Sequence, residues 1–96
     1  MSDVVDAAVK ALNEKLDGGG IDGSVKFLIE DEGAVRIDET GASASDAPAD
    51  CTMTADRETF EGILDGEVNP TAAFMTGRLK VDGDMGLAMK LGSVLS

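Results

Sequence analysis

Residues 69–96, NPTAAFMTGRLKVDGDMGLAMKLGSVLS, decide the fold of this chain, and they end in a helix with little polar surface. Asp84 is a suitable N-cap for that helix. At about 100° per residue, apolar side chains cover most of the circumference, and only Gly86, Lys90 and Ser93 fill the remaining arc. A surface helix normally keeps a broad polar face for water. The pattern therefore predicts burial on more than one side, either inside one large core or against both a sheet and a ligand.

Methionine is concentrated in the same segment. Met75, Met85 and Met89 lie there, whereas the whole chain has three Phe and no Trp or Tyr. Met side chains are flexible and polarisable, so they suit a surface that fits varied apolar ligands, but they also fill gaps in ordinary cores. The methionines favour a helix that faces a ligand without excluding a core helix.

The hydrophobic spacing upstream predicts a helix and then four strands. The helix is expected over residues 2–16, and a hairpin over residues 24–30 and 34–39. A short edge strand is expected at residues 42–45, and a fourth strand at residues 50–55.

Two short helices and a fifth strand are predicted next. Asp56 opens a helix that Gly66 ends, and Asn69-Pro70 opens a very short helix with Pro at its first position. The fifth strand is expected at residues 78–81, and Asp82-Gly83 is expected to turn the chain into the last helix.

The net charge of the chain limits its partners. Nineteen acidic and eight basic residues give a net charge of −11. Such a surface repels the phosphates of nucleic acids and of anionic membranes, so neither is expected as a partner. We interpret the acidic coat chiefly as a device for solubility in a halophilic host, and alternatively as a field that steers a ligand.

The composition argues against catalysis and against a metal or other cofactor. There is no His, which is the commonest general base, and Cys51 is the only cysteine. From its two ends we expect neither a secretory leader nor a peroxisomal address, and no apolar run approaches about 20 residues. We therefore expect one soluble, cytoplasmic domain over residues 1–96, with no enzymatic activity and no stable membrane insertion.

The tail resembles the signature of the sterol carrier protein 2 (SCP2) family. In that signature, a Pro-containing turn and a short helix ending in Phe-Met precede Gly-Lys/Arg-Leu-Lys-Ile/Val-x-Gly-Asp and a helix with Ala and Leu. The matching positions are Pro70, Phe74, Gly77, Arg78, Leu79, Lys80, Val81, Gly83, Asp84, Ala88 and Leu91. The segments GSVKFLIEDEGAVRIDETG and ADCTMTADRETFEGILDGEVNP resemble the family's hairpin, fourth strand and second helix, so the resemblance covers nearly the whole chain.

The resemblance implies an α/β (α+β) fold. A five-stranded, mostly antiparallel sheet of order 3-2-1-4-5 would be covered by helices on one face, with an apolar cavity between the layers. In the family this tunnel accepts fatty acids, acyl-CoA, sterols or other lipids. For an archaeal host, isoprenoid or acyl chains are more suitable ligands than sterols. The implied function is non-catalytic binding of lipids, with lipid transfer as its extension.

Ten apolar side chains are expected along this cavity: Phe60, Ile63, Leu64, Phe74, Met75, Leu79, Met85, Met89, Leu91 and Leu95. Arg78 or Lys80 is a candidate contact for a carboxylate head group, although solvated strand residues are the simpler interpretation. Two alternatives stay open. One is a protein-interaction or accessory module whose last helix docks on a partner enzyme of lipid metabolism. The other is a hydrolase or isomerase of acyl-CoA that acts through Cys51 and Asp84.

Overall fold

The computed structural model describes residues 3–17 and 19–95, and for Val94 and Leu95 it describes the backbone alone. The elements in chain order are α1 (Asp3–Leu16), β1 (Val25–Ile29), β2 (Gly33–Asp38), β3 (Gly41–Ala44), β4 (Cys51–Ala55), α2 (Arg57–Asp65), α3 (Pro70–Met75), β5 (Leu79–Gly83) and α4 (Met85–Leu95). The predicted succession of helix, four strands, two helices, strand and helix is confirmed. Ser2, which was expected in the first helix, lies outside the described residues.

The five strands form one sheet in the order β3-β2-β1-β4-β5. Only the central pair, β1 with β4, is parallel, and the other three pairs are antiparallel. The α/β fold with a mostly antiparallel sheet of order 3-2-1-4-5 is therefore confirmed.

One face of the sheet carries the hydrophobic core, because apolar residues alternate along each strand. The buried hydrophobic strand residues are Val25, Phe27, Ile29, Val35, Ile37, Cys51, Met53, Ala55 and Leu79. Helices cover this face with Val5, Ala8 and Leu12 of α1, Phe60 and Ile63 of α2, and Leu87, Ala88 and Leu91 of α4. The rings of Phe27 and Phe60 meet edge to face with centroids 4.7 Å apart, which joins α2 to the centre of the sheet.

The chain between β3 and β4 crosses the opposite face of the sheet. These two strands are separated by β2 and β1, so their connection must pass over both. Lys26 forms an ion pair of 3.2 Å with Asp46, and Nε of Arg36 donates a hydrogen bond of 3.1 Å to the carbonyl oxygen of Pro48. The crossing segment is thus held by cations on β1 and β2.

The predicted turn at Asp82-Gly83 is wrong, because both residues continue β5. Gly83 pairs with Cys51, and the amide of Asp84 donates a hydrogen bond to the carbonyl oxygen of Asp50. The φ of Gly83 is 103°, and a Cβ there would lie 2.5 Å from the Asp50 oxygen. Only glycine allows the strand to continue so close to its neighbour.

The edge strand begins one residue earlier than predicted, at Gly41. The side-chain amide of Asn13 on α1 donates to the carbonyl oxygen of Ala42 and accepts from its amide, at 3.0 and 2.9 Å. This pair of contacts fixes β3 against the first helix.

Within the described residues, no helix combines the length and the apolar character that crossing a bilayer requires.

Candidate functional site

An apolar groove of about 400 Å³ lies between α3, β5 and α4 and opens to solvent on one side. We call it the α3–α4 groove. Its floor is formed by Met53, Leu79 and Val81, its apolar walls by Pro70, Phe74 and Met75 of α3 and Met85, Ala88, Met89 and Gly92 of α4, and its polar rim by Asn69, Thr71 and Ser93. The volume lies in the range of small-molecule sites.

The α3 wall depends on its helix cap. The side-chain oxygen of Asn69 accepts hydrogen bonds from the amides of Thr71 and Ala72, at 2.8 and 3.2 Å. Ala73 is buried and anchors the short helix on the protein, while Phe74 stays 41% exposed. The helix ends at Met75, and Thr76 is its C-cap residue.

The α4 wall depends on Asp84, the predicted N-cap of this helix. Its carboxylate accepts hydrogen bonds from the amides of Gly86 and Leu87, at 2.9 and 3.3 Å. Leu87 and Leu91 are buried, one turn apart, against the core. Met85 and Met89 are also one turn apart, and they lie on the side of the helix that faces the groove.

Four large hydrophobic side chains are exposed among the described residues, and all four line this groove. Phe74 is 41%, Met75 79%, Met85 44% and Met89 71% exposed. Of the two alternatives for the last helix, burial inside one large core is therefore wrong, and packing against both the protein and a ligand stays a prediction. One side packs on the core, and the methionine side opens into the groove.

The structure separates the ten side chains expected along a cavity. Five of them meet in the α3–α4 groove: Phe74, Met75, Leu79, Met85 and Met89. Phe60, Ile63 and Leu91 are buried in the core and do not line it. Leu64 lies instead on a second pocket of about 250 Å³ between α1 and α2, and the side chain of Leu95 lies outside the described residues.

Sequence reasoning did not place four apolar side chains of the groove along the cavity, namely Met53, Pro70, Val81 and Ala88. Met53 is paired with Val81 across β4 and β5, and Leu79 lies two residues before Val81 on the same face. The alternation along the strands, which identified Leu79, therefore also predicts that Met53 and Val81 lie on the groove floor.

No charged side chain lines the groove among the residues that the structure describes. Hydrogen bonding by Thr59, whose amide donates to the carboxylate at 2.7 Å, lowers the pKa of Asp56. The positive charge of Arg78 contributes to a smaller extent, so Arg78 lies near the start of α2. Lys80 alternates with Leu79 and Val81 along β5 and is exposed, which places it on the opposite face of the sheet. Neither cation lines the groove.

Cys51 and Asp84 do not form a site that a substrate reaches. Cys51 is fully buried, and burial raises the pKa of its thiol, with smaller contributions from the charges of Asp84 and Asp82. The Asp84 carboxylate caps α4. Nor do the described residues contain a group of three or more Cys, Asp or Glu placed to hold a metal ion.

Similarity to curated proteins is strong over short segments. The chain is 51% identical over 47 residues to sterol carrier protein 2 of Homo sapiens, covering 49% of this chain and 9% of that protein. It is 41% identical over 68 residues to hydroxysteroid dehydrogenase-like protein 2 of Xenopus laevis, covering 71% of this chain and 15% of that protein. The matched segment thus spans only a small part of these relatives.

Solved structures share the fold. Sterol carrier protein 2 of Aedes aegypti, solved in complex with palmitate, superposes with a TM-score of 0.78 at 20% identity, covering 100% of this chain and 97% of that one. The sec-alkylsulfatase Pisa1 of Pseudomonas sp. gives a TM-score of 0.60 at 20% identity, covering 96% of this chain and 14% of that one. The model of the SCP-2 sterol transfer family matches residues 2–96, and the chain therefore belongs to that family.

Proposed function

We propose that this chain binds the apolar chain of a lipid in the α3–α4 groove without catalysing a reaction. The observation that carries the proposal is that Phe74, Met75, Met85 and Met89, the exposed large hydrophobics of the described residues, all line one groove. Exposed apolar patches of this kind mark binding sites in soluble proteins. Palmitate in the Aedes aegypti structure, which has the same fold, supports the same class of ligand.

The energy of binding depends on how far the groove closes. Full burial contributes roughly 0.8 kcal/mol per methylene, so half-burial in an open groove contributes about 0.4 kcal/mol. A 12-carbon chain would then gain on the order of 5 kcal/mol before any ordering cost, which is close to millimolar affinity. Tighter binding requires the flexible side chains of Met75 and Met89 to fold over the ligand.

The open side of the groove also favours transfer of the lipid, because a chain can enter and leave without unfolding the core. Fatty acyl, acyl-CoA and isoprenoid chains are all long enough to occupy it, and sterol is the less favoured ligand. The cytoplasmic location and the single domain over residues 1–96 stay predictions from the sequence.

The test of lipid binding is displacement of an apolar fluorescent dye by 1-dodecanol. The double variant Met85→Gln/Met89→Gln keeps side-chain length and adds polar groups to the groove, so we expect at least a tenfold loss of affinity with little change in melting temperature. Leu64→Gln, in the pocket between α1 and α2, is the matched control and should bind like the wild type. Unchanged binding by the double variant, or loss in the control alone, would contradict the proposal.

A second candidate is an accessory module whose groove docks on an enzyme of lipid metabolism. The alkylsulfatase favours this candidate. The match covers only 14% of that chain, so a domain of this fold forms one part of a larger enzyme there. Native mass spectrometry of protein purified from its own host separates the two. A lipid that co-purifies in the groove supports the carrier, and stable association with an enzyme in the absence of lipid supports the module.

A further inference from the structure

We infer that the α3–α4 groove selects lipids with an uncharged oxygen-containing head group, such as an alcohol or an ester, over fatty acids and acyl-CoA. The inference rests on the proposed function and names the ligand class for the same groove. Its basis is that the described lining of the groove is uncharged while the rest of the chain is strongly acidic.

The groove is uncharged although more than a quarter of the chain is charged. Its described lining contains no Asp, Glu, Lys or Arg, whereas 28% of all residues are charged. A buried or half-buried carboxylate needs a cation or several hydrogen-bond donors to offset its lost hydration. The groove offers no cation for that purpose.

None of the nearby cations lines the groove in the described part of the chain. The charge of Arg78 acts on Asp56 at the start of α2, and Lys80 lies on the opposite face of the sheet. Lys90 on α4 projects about 120° away from the midpoint of Met85 and Met89, because successive helical residues are about 100° apart. The described lining of the groove therefore offers no cationic partner to a carboxylate or phosphate.

The whole-molecule charge opposes anionic ligands further. With a net charge of −11, the protein surrounds the groove with a negative field that repels a carboxylate or the phosphates of CoA. Salt weakens this repulsion, because the Debye length falls from about 30 Å at 0.01 M to about 3 Å at 1 M. A neutral head group is not affected by the field.

The rim supplies a partner for a neutral oxygen. The side-chain oxygen of Asn69 is used by the cap of α3, accepting from the amides of Thr71 and Ala72. The same carboxamide carries two N–H donors on its nitrogen. Since Asn69 lines the groove, its N–H groups can donate to the oxygen of an alcohol or an ester.

The test compares two 12-carbon ligands, 1-dodecanol and dodecanoate, by displacement of the same neutral dye at pH 7. At 20 mM salt we expect dodecanol to bind at least tenfold more tightly. At 1 M salt the ratio of the two affinities should fall several-fold. Screening weakens the repulsion between the acidic protein and dodecanoate, and it leaves the binding of uncharged dodecanol unchanged. Ser93→Lys adds a cation at the rim and should strengthen dodecanoate binding several-fold. Ser43→Lys, which adds the same charge on the opposite sheet face, should change it far less.

The outcomes distinguish this inference from the proposed function. If dodecanoate binds the wild type as tightly as dodecanol at 20 mM salt, the head-group inference is wrong and lipid binding stands. The inference is also wrong if the two lysine variants strengthen dodecanoate binding equally. If neither ligand displaces the dye, the groove does not hold a lipid, and both claims fail.

Discussion

At the scale of single residues, burial makes the thiol of Cys51 unreactive. Its side chain is fully buried in β4, and burial raises the pKa of the thiol above its ordinary value of 9.0. Because the thiolate is the reactive species, a raised pKa leaves the thiol protonated and inert at neutral pH. The only cysteine of the chain is therefore a packing residue.

We predict that native Cys51 resists alkylation by iodoacetamide at pH 8, because both burial and the raised pKa remove accessible thiolate. The same protein in 6 M guanidinium chloride should be alkylated completely within minutes, as judged by intact mass. Equal alkylation rates in the native and unfolded protein would show that Cys51 is accessible.

Asp56 carries a pH dependence of stability. Its side chain accepts a hydrogen bond of 2.7 Å from the amide of Thr59, and hydrogen bonding by Thr59 is the main cause of its lowered pKa. A carboxyl whose pKa is lower in the folded state stabilises the fold above its unfolded pKa, and this contribution is lost as the pH falls through the folded pKa. The stabilisation is therefore present at pH 7 and absent in strong acid.

Replacing Asp56 by Asn tests this sign. Asn can still cap the helix but lacks the charge that favours the helix N-terminus. We expect Asp56→Asn to lower the urea midpoint at pH 7 and to match the wild type near pH 2. Asp65→Asn is the control, because it removes one negative charge at the C-terminal end of the same helix. We expect it not to lower the urea midpoint at pH 7. If Asp56→Asn lowered the urea midpoint by the same amount at pH 7 and near pH 2, the loss of stability would come from altered packing and not from the lost charge.

At the scale of elements, the junction of β5 and α4 positions the groove. Gly83 extends β5 alongside Asp50, and Asp84 then caps the helix that carries Met85 and Met89. The floor and one wall of the groove are thus joined through two consecutive residues. A change at this junction alters both.

We predict opposite effects of alanine at two glycines. Gly83→Ala places a Cβ 2.5 Å from the Asp50 oxygen at a φ of 103° and should destabilise the fold by about 1–3 kcal/mol or more. Gly92→Ala in α4 meets only Pro70, at 3.6 Å, and should stabilise the helix by up to about 1 kcal/mol. Urea denaturation measures both. A neutral Gly83→Ala would contradict the close approach of the two strands.

The elements were predicted well from local signals and the groove less well. Asp56 and Asn69-Pro70 identified two helix starts, because capping depends on neighbouring residues only. The extension of β5 through Gly83 was missed, because it depends on pairing with Cys51, 32 positions earlier in the chain. Periodicity also could not separate Leu91, which is buried in the core, from Met89, which is exposed in the groove, since both are apolar.

At the scale of the whole molecule, the negative charge is distributed outside the groove, and its self-repulsion opposes the compact state. The ion pairs of the described residues are few, and the pair of Lys26 with Asp46 leaves the aspartate 79% exposed. Exposed pairs contribute little to stability. Screening by salt is therefore expected to stabilise the fold more than its ion pairs do.

We predict that the melting temperature rises steadily between 0.02 and 1 M sodium chloride, followed by circular dichroism, because salt screens the repulsion among the acidic residues. Potassium chloride is the control and should give the same curve, since screening depends on ionic strength. A melting temperature that falls with salt would mean that ion pairs dominate the electrostatics.

The central claim is that an apolar chain lies in the α3–α4 groove. The most direct measurement is a titration of methyl-labelled protein with 1-dodecanol, followed by NMR of the methionine and leucine methyl groups. The account predicts that the methyl signals of Met75, Met85 and Met89 shift together and saturate, while those of Leu64 between α1 and α2 stay in place. Saturable binding that moves Leu64 and leaves the three methionines unchanged would contradict it.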